Sequence, residues 1–202
     1  MILWLARILL WVPLNIMHPT FIKGRKNRPK GKCILACNHY SNWDIMLYVL
    51  NTAQNMKIMS KKELFKNKFF GWIVSKMGAF PVDRQGQDLS AIKTSIKTLK
   101  DNKKLFIFPE GRRTSEEEHL VMADLKSGMA MIAIKTKSPI VPIWIEQRHR
   151  LFRPSVYHIG KPFELDEFYG TKLDEETLDN ANQVVRAKML ELRESVLNKK
   201  KK

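Results

Sequence analysis

Four short apolar runs constrain this chain most: CILAC (33–37), AFPV (79–82), KLFIF (104–108) and IVPIWI (140–145). Each is too brief for a core helix, and several are apolar at consecutive positions, as strands covered on both faces require. The segments between them carry a helical period. Leu89, Ile92, Ile96 and Leu99 recur at intervals of three and four, and residues 43–54, 68–77 and 122–137 also favour helix. This alternation predicts an α/β fold, a mixed, mostly parallel sheet flanked by helices. A closing helix over about 174–198 is expected to dock on the body through Leu178, Ala181, Val185, Met189, Leu192 and Val196.

A chain of 202 residues has room for roughly one domain. Its formal net charge of +16 directs it toward a polyanionic surface or an anionic substrate, and nucleic acid and acidic lipid both qualify. Acidic residues concentrate between 164 and 179, so the basic field belongs to the front of the chain. Cys33 and Cys37 are the only cysteines; four residues apart and without a His/Cys cluster nearby, they indicate neither a disulfide framework nor a metal site. A reducing compartment fits this usage.

Residues 1–22 form the most apolar stretch, yet Arg7, Pro13, Asn15 and His18 interrupt it, which is unlike the run of about 20 apolar residues that a spanning helix needs. At helical spacing Trp4, Arg7, Trp11, Asn15 and His18 share one face and leave aliphatic residues on the others. The pattern predicts a membrane-interface helical anchor over 1–22, kinked or split at Pro13, followed by a catalytic domain over 23–202. A core-packed helix is the competing reading, since such helices are equally apolar. KGRKNRPKGK (23–32) carries six basic residues and no acid, and reads as a loop facing anionic headgroups.

Three strand ends carry chemistry. CILAC runs into Asn38-His39, and Asp44 follows within the first turn of the next helix, within reach of one imidazole nitrogen and leaving the other as a base. Ser41-x-x-Asp44 is also a legitimate capping box, so Asp44 could simply satisfy helix N–H groups. KLFIF ends in Phe108-Pro109-Glu110-Gly111-Arg112-Arg113-Thr114, where the turn presents a carboxylate and two guanidinium forks suited to hydroxyls and a phosphate. AFPV ends in Asp83-Arg84. In a parallel sheet these three ends can share one crevice. Cys37, two residues before His39, is a covalent alternative, although a cysteine in an apolar strand is usually a packing residue.

NHYSNWD (38–44), GAFPVDR (78–84), FPEGRRT (108–114) and IVPI (140–143), with LKSGMA (125–130), resemble in order the motif blocks of the glycerolipid acyltransferase family, and within it the members that acylate lysophosphatidate. Arg112 stands where the family usually has Thr, and Thr114 where it has Ser. The resemblance implies a glycerol-3-phosphate acyltransferase-like fold. It implies His39 as general base and Asp44 as its orienting partner, with Arg84, Glu110, Gly111 and Arg113 holding a phosphorylated acceptor. It further implies transfer of an acyl chain from acyl-CoA or acyl carrier protein to the sn-2 hydroxyl of 1-acyl-sn-glycerol-3-phosphate, giving phosphatidic acid. No cofactor or metal beyond the acyl thioester co-substrate is expected. The partners are then membrane lipids, with lysophosphatidic acid as acceptor, and the location is the cytoplasmic face of the cell membrane, monotopic or peripheral. Arg112 keeps another lysophospholipid or an amine lipid open as acceptor. A basic nucleic-acid-binding module is the alternative from a different class, but no nucleic-acid motif is present and the aromatics cluster in apolar runs.

Overall fold

The computed structural model describes residues 2–52, 55–83, 88–115 and 122–200. Within them, strands β1 (Thr20–Lys23), β2 (Cys33–Cys37), β3 (Met56–Lys61), β4 (Ala79–Val82), β5 (Lys104–Ile107), β6 (Ile140–Ile145) and β7 (Ser155–Ile159) form one sheet. Its order is β1-β7-β6-β2-β5-β3-β4. Neighbours are parallel throughout except β6 and β7. Helices α1 (Ile2–Met17), α2 (Trp43–Thr52), α3 (Lys68–Lys76), α4 (Leu89–Lys100), α5 (Ser127–Thr136) and α6 (Glu175–Lys200) flank it. The mixed, mostly parallel sheet between helices is as the sequence predicts.

Strand order dictates where the helices lie. The β2→β3 and β3→β4 connections step one way and β4→β5 and β5→β6 step back, so right-handed crossovers put α2 and α3 on one face and α4 and α5 on the other. The core divides accordingly. Ile34 and Ala36 of β2 join Leu105, Ile107 and the α4–α5–α6 residues Leu99, Met129, Ala133, Val185 and Met189. Cys33, Leu35 and Cys37 face the opposite way, with Phe106, Val141, Ile143, Tyr157 and Tyr48 of α2. β2 is buried at every position, which explains its unbroken apolar run.

Three strands escape the search for apolar runs. In β3 and β7 buried residues alternate with half-exposed ones, so Lys57 and Lys61 interleave with Met56, Ile58 and Ser60. The half-buried pattern reads as polar sequence. β1 arises from the apolar N-terminal stretch and pairs with β7, so the border read after residue 22 falls inside this strand. The helix expected over 122–137 begins only at Ser127, because the preceding stretch is tied to the 108–114 turn: Lys126 N–H donates to the Pro109 carbonyl at 2.9 Å.

Helix α1 continues through Pro13 instead of splitting there. Its 16 residues span about 24 Å at 1.5 Å per residue, and among the described residues no helix is long and apolar enough to cross a membrane. Of the face expected to be polar, Trp11 and His18 turn toward α2: the Trp11 indole N–H donates to Asn51 Oδ1 at 3.0 Å, and the buried His18 ring lies 4.8 Å from that of Trp43, while the side chains of Trp4 and Arg7 lie outside those described. Leu9, Val12 and Ile16 are exposed. The basic run 23–32 is in part internally engaged, since Arg25 donates to the Asn51 carbonyl near the end of α2, and Lys32 to the Thr136 carbonyl at the end of α5. These cations offset the negative ends of the two helices.

Candidate active site

Parallel strands deliver their carboxyl ends to one edge of the sheet, and the three expected clusters follow β2, β4 and β5. At the end of β2 the chain turns through Asn38, whose side-chain amide makes a two-point contact with the last residue of β6: Nδ2 donates to the Ile145 carbonyl at 3.1 Å, and Oδ1 accepts from Ile145 N–H at 2.7 Å. This continues the β2–β6 ladder one residue further and fixes the position of His39.

His39 and Asp44 form the expected dyad, with Nδ1 and Oδ2 2.9 Å apart. The same Oδ2 accepts from the Tyr40 and Ser41 backbone N–H groups at 2.6 and 2.8 Å, and Oδ1 accepts from Ser41 Oγ at 3.1 Å. Asp44 thus does both things its position allows, accepting from the N–H groups that precede α2 and receiving the imidazole. Because its carboxylate is an acceptor toward every partner, the ring nitrogen facing it carries the hydrogen, which in the neutral ring leaves the lone pair on Nε2. The ring plane is fixed by Phe108, stacked at 3.8 Å and 17°. The His39 side chain is 7% exposed, a narrow opening rather than a sealed interior.

The turn after β5 closes over this ring. Thr114 donates to the His39 carbonyl from both N–H, at 2.9 Å, and Oγ1, at 3.2 Å. Arg112 and Arg113, two residues and one residue before it, are exposed, so the structure brings Arg113 to the strand end that carries His39. Gly111 has φ +67°, and a Cβ there would lie 3.0 Å from Lys126 Cγ. The residue is required by the backbone of the turn. Glu110 is buried, and its Oε2 accepts from Ala123 N–H at 3.2 Å, so it fastens the segment entering α5. Asp83, at the end of β4, is ion-paired with Lys62, whereas Arg84 lies outside the described residues. Cys37 is fully buried, and burial, then Asp44 and Glu110, push its thiol well above the usual range. Such a buried thiol is a poor source of thiolate.

Behind the dyad stands a group that sequence reasoning missed. His149, in the β6–β7 connection, places Nε2 2.8 Å from Tyr157 Oη and 3.5 Å from Asp44 Oδ1. The Tyr157 hydroxyl donates to the Asp44 backbone carbonyl at 2.7 Å. Burial chiefly holds the His149 imidazole below its ordinary range; Asp44 opposes this and His18 adds to it. The unfolded chain then takes up this proton more readily than the folded one. The contribution is full above about pH 6.5 and is lost as pH falls below it. The urea midpoint is therefore expected to drop between about pH 7.5 and pH 5.5, and to drop less in a His149→Gln variant; equal drops would show that His149 is not the group responsible.

The family model described as Acyltransferase matches residues 20–146. The chain belongs to that family. Among curated members of this acyltransferase family, the 1-acyl-sn-glycerol-3-phosphate acyltransferase of Bacillus subtilis (strain 168) is 44% identical over 134 residues, 65% of this chain and 64% of the relative. The enzyme of the same name from Streptococcus pneumoniae is 40% identical over 112 residues, 54% of this chain and 40% of the relative. The chain thus spans less than two thirds of the length of these relatives. In fold it is similar to the crystal structure of PlsC, the 1-acyl-sn-glycerophosphate acyltransferase of Thermotoga maritima. That likeness has a TM-score of 0.66 at 23% identity and covers 93% of this chain and 76% of the other.

Proposed function

We propose that this chain transfers an acyl group from acyl-CoA or acyl carrier protein to the sn-2 hydroxyl of 1-acyl-sn-glycerol-3-phosphate, forming phosphatidic acid at an acidic membrane surface. The observation that carries the reading is the His39–Asp44 pair, with Nδ1 committed to the carboxylate and the arginine-bearing turn bonded to the His39 carbonyl. The activity for which the two curated relatives are named, acylation of 1-acyl-sn-glycerol-3-phosphate, supports this reading.

The chemistry follows from the groups present. Nε2 of His39 takes the proton of the acceptor hydroxyl as its oxygen attacks the thioester carbonyl. The tetrahedral adduct collapses with cleavage of the C–S bond, and the imidazolium proton passes to the departing thiolate. A thiol of pKa about 8.5 is a good leaving group and demands little help from an acid. The acceptor oxygen is itself the nucleophile, and the burial of Cys37 supports direct transfer without an acyl-enzyme. Arg113 and Arg84 bind the acceptor phosphate, Gly111 shapes the turn that presents Arg113, and Glu110 braces that turn from within. Holding both substrates together contributes more than the base alone, so phosphate anchoring is part of the rate enhancement.

Thiol release measured with each donor, against a panel of acceptors, tests this reading. Release is expected to require lysophosphatidate and to yield phosphatidate in equal amount. Release driven equally by lysophospholipids without a terminal phosphate, or by an amine lipid, would move the assignment to the acceptor class that Arg112 leaves open. Absence of release with every pair would overturn it.

A further inference from the structure

The connection between β6 and β7 begins where the family match ends, at residue 146, and reads EQRHRLFRP over 146–154. Its inner side is anchored: His149 is buried against Tyr157 and Asp44. The outer side is of another kind. Leu151 is 56% and Phe152 70% exposed, and Phe152 holds φ +58°, a left-handed conformation that bulky residues rarely adopt. The Phe152 N–H donates to the Met17 carbonyl at 2.6 Å, which joins the loop tip to the end of α1, where Ile16 and Met17 are exposed as well. Arg148, Arg150 and Arg153 are all exposed around this apolar tip. The one acid of the segment, Glu146, is ion-paired with His158 at its base.

We propose that this loop is a membrane-docking element that inserts Leu151 and Phe152 into an anionic bilayer surface while Arg148, Arg150 and Arg153 bind the lipid phosphates. The inference rests on the lipid-directed reading above. Charge selects the occupant: three guanidinium groups around two apolar side chains complement phosphates around acyl chains, and each basic group adds to attraction toward an anionic surface. Continuity with the exposed aliphatic face of α1 makes the contact one surface. Phe152 itself stands outward from the loop, with 70% of its surface exposed. The loop leaves β6 at Ile145, which is bonded to Asn38, so docking here brings the sheet edge that carries His39 toward the layer that carries its acceptor.

Phe152→Gly tests the element with little risk to folding, since glycine suits a positive φ better than phenylalanine does. In the full chain this variant is expected to keep its thermal midpoint and its turnover on detergent-dispersed substrate, while its partition onto phosphatidylglycerol–phosphatidylcholine vesicles falls by about tenfold. A fluorophore on Phe152→Cys reports insertion directly, because Cys33 and Cys37 are buried. Its emission is expected to shift blue with these vesicles, while the same label on Ser195→Cys of α6 stays in water. Unchanged partition of Phe152→Gly, or a label at 152 that stays aqueous while the protein sediments with vesicles, would overturn the proposal. So would a blue shift that follows protein concentration without lipid, which marks a second copy as the occupant. Vesicle binding through position 152 by a chain that transfers no acyl group would uphold the docking and defeat the proposed reaction.

Discussion

Replacing His39 with alanine is expected to lower acyl transfer by ~10²–10⁴-fold, the range that a positioned general base supplies, while leaving the chain folded. The ring is nearly buried and stacked on Phe108, so its loss opens a small cavity, but the partners left behind remain satisfied. Asp44 Oδ2 keeps the Tyr40 and Ser41 N–H groups, and Thr114 keeps the His39 carbonyl, which any residue at 39 provides. The stability cost should thus stay near the usual 1–3 kcal/mol of a single substitution. Thiol release and a thermal melt on one preparation check both halves. A folded variant with undiminished turnover would remove His39 from the mechanism.

Changing Asp44 should have the second large effect, and its two variants separate chemistry from folding. Asp44→Asn keeps the shape and one acceptor oxygen but loses the anion that holds the hydrogen on His39 Nδ1. Turnover is expected to fall by roughly 10³-fold, with a loss of about 1–3 kcal/mol in stability. Asp44→Ala strips the acceptor from two backbone N–H groups, the Ser41 hydroxyl and the His39 ring at a fully buried position, so about 3–5 kcal/mol is expected. Urea unfolding of both variants beside the parent, with turnover measured on Asp44→Asn, gives the comparison. Near-parental turnover in Asp44→Asn would show that the carboxylate serves only the helix start.

Much of this was legible because burial on both faces leaves a strong mark. β2, β4 and β6 match their apolar runs, and KLFIF overshoots β5 only by Phe108, which has left the ladder to stack on His39. β3 and β7 left no such mark, since one face of each carries lysine, valine or histidine. The His39–Asp44 pair was readable from local spacing, as five residues of turn and helix fix that geometry. Contacts made across the sheet were not. Asn38 meets Ile145, 107 residues on, and Tyr157 reaches the Asp44 carbonyl across 113. Both depend on the pairing of β6 with β2 and β7, which no short window contains. Glu110 shows the converse, a carboxylate that looks like a surface group in sequence and is internal because residues 122–126 fold back over its turn.

Nitrogen NMR of the histidine-labelled protein, with the His39 resonances identified by their loss in His39→Ala, reads the central feature without reference to turnover. In the neutral form of the ring, hydrogen on Nδ1 and a bare Nε2 is the expected result, with that preference weakened in Asp44→Asn. A ring with its hydrogen on Nε2 would leave no lone pair for the acceptor hydroxyl and would contradict the mechanism at its first step.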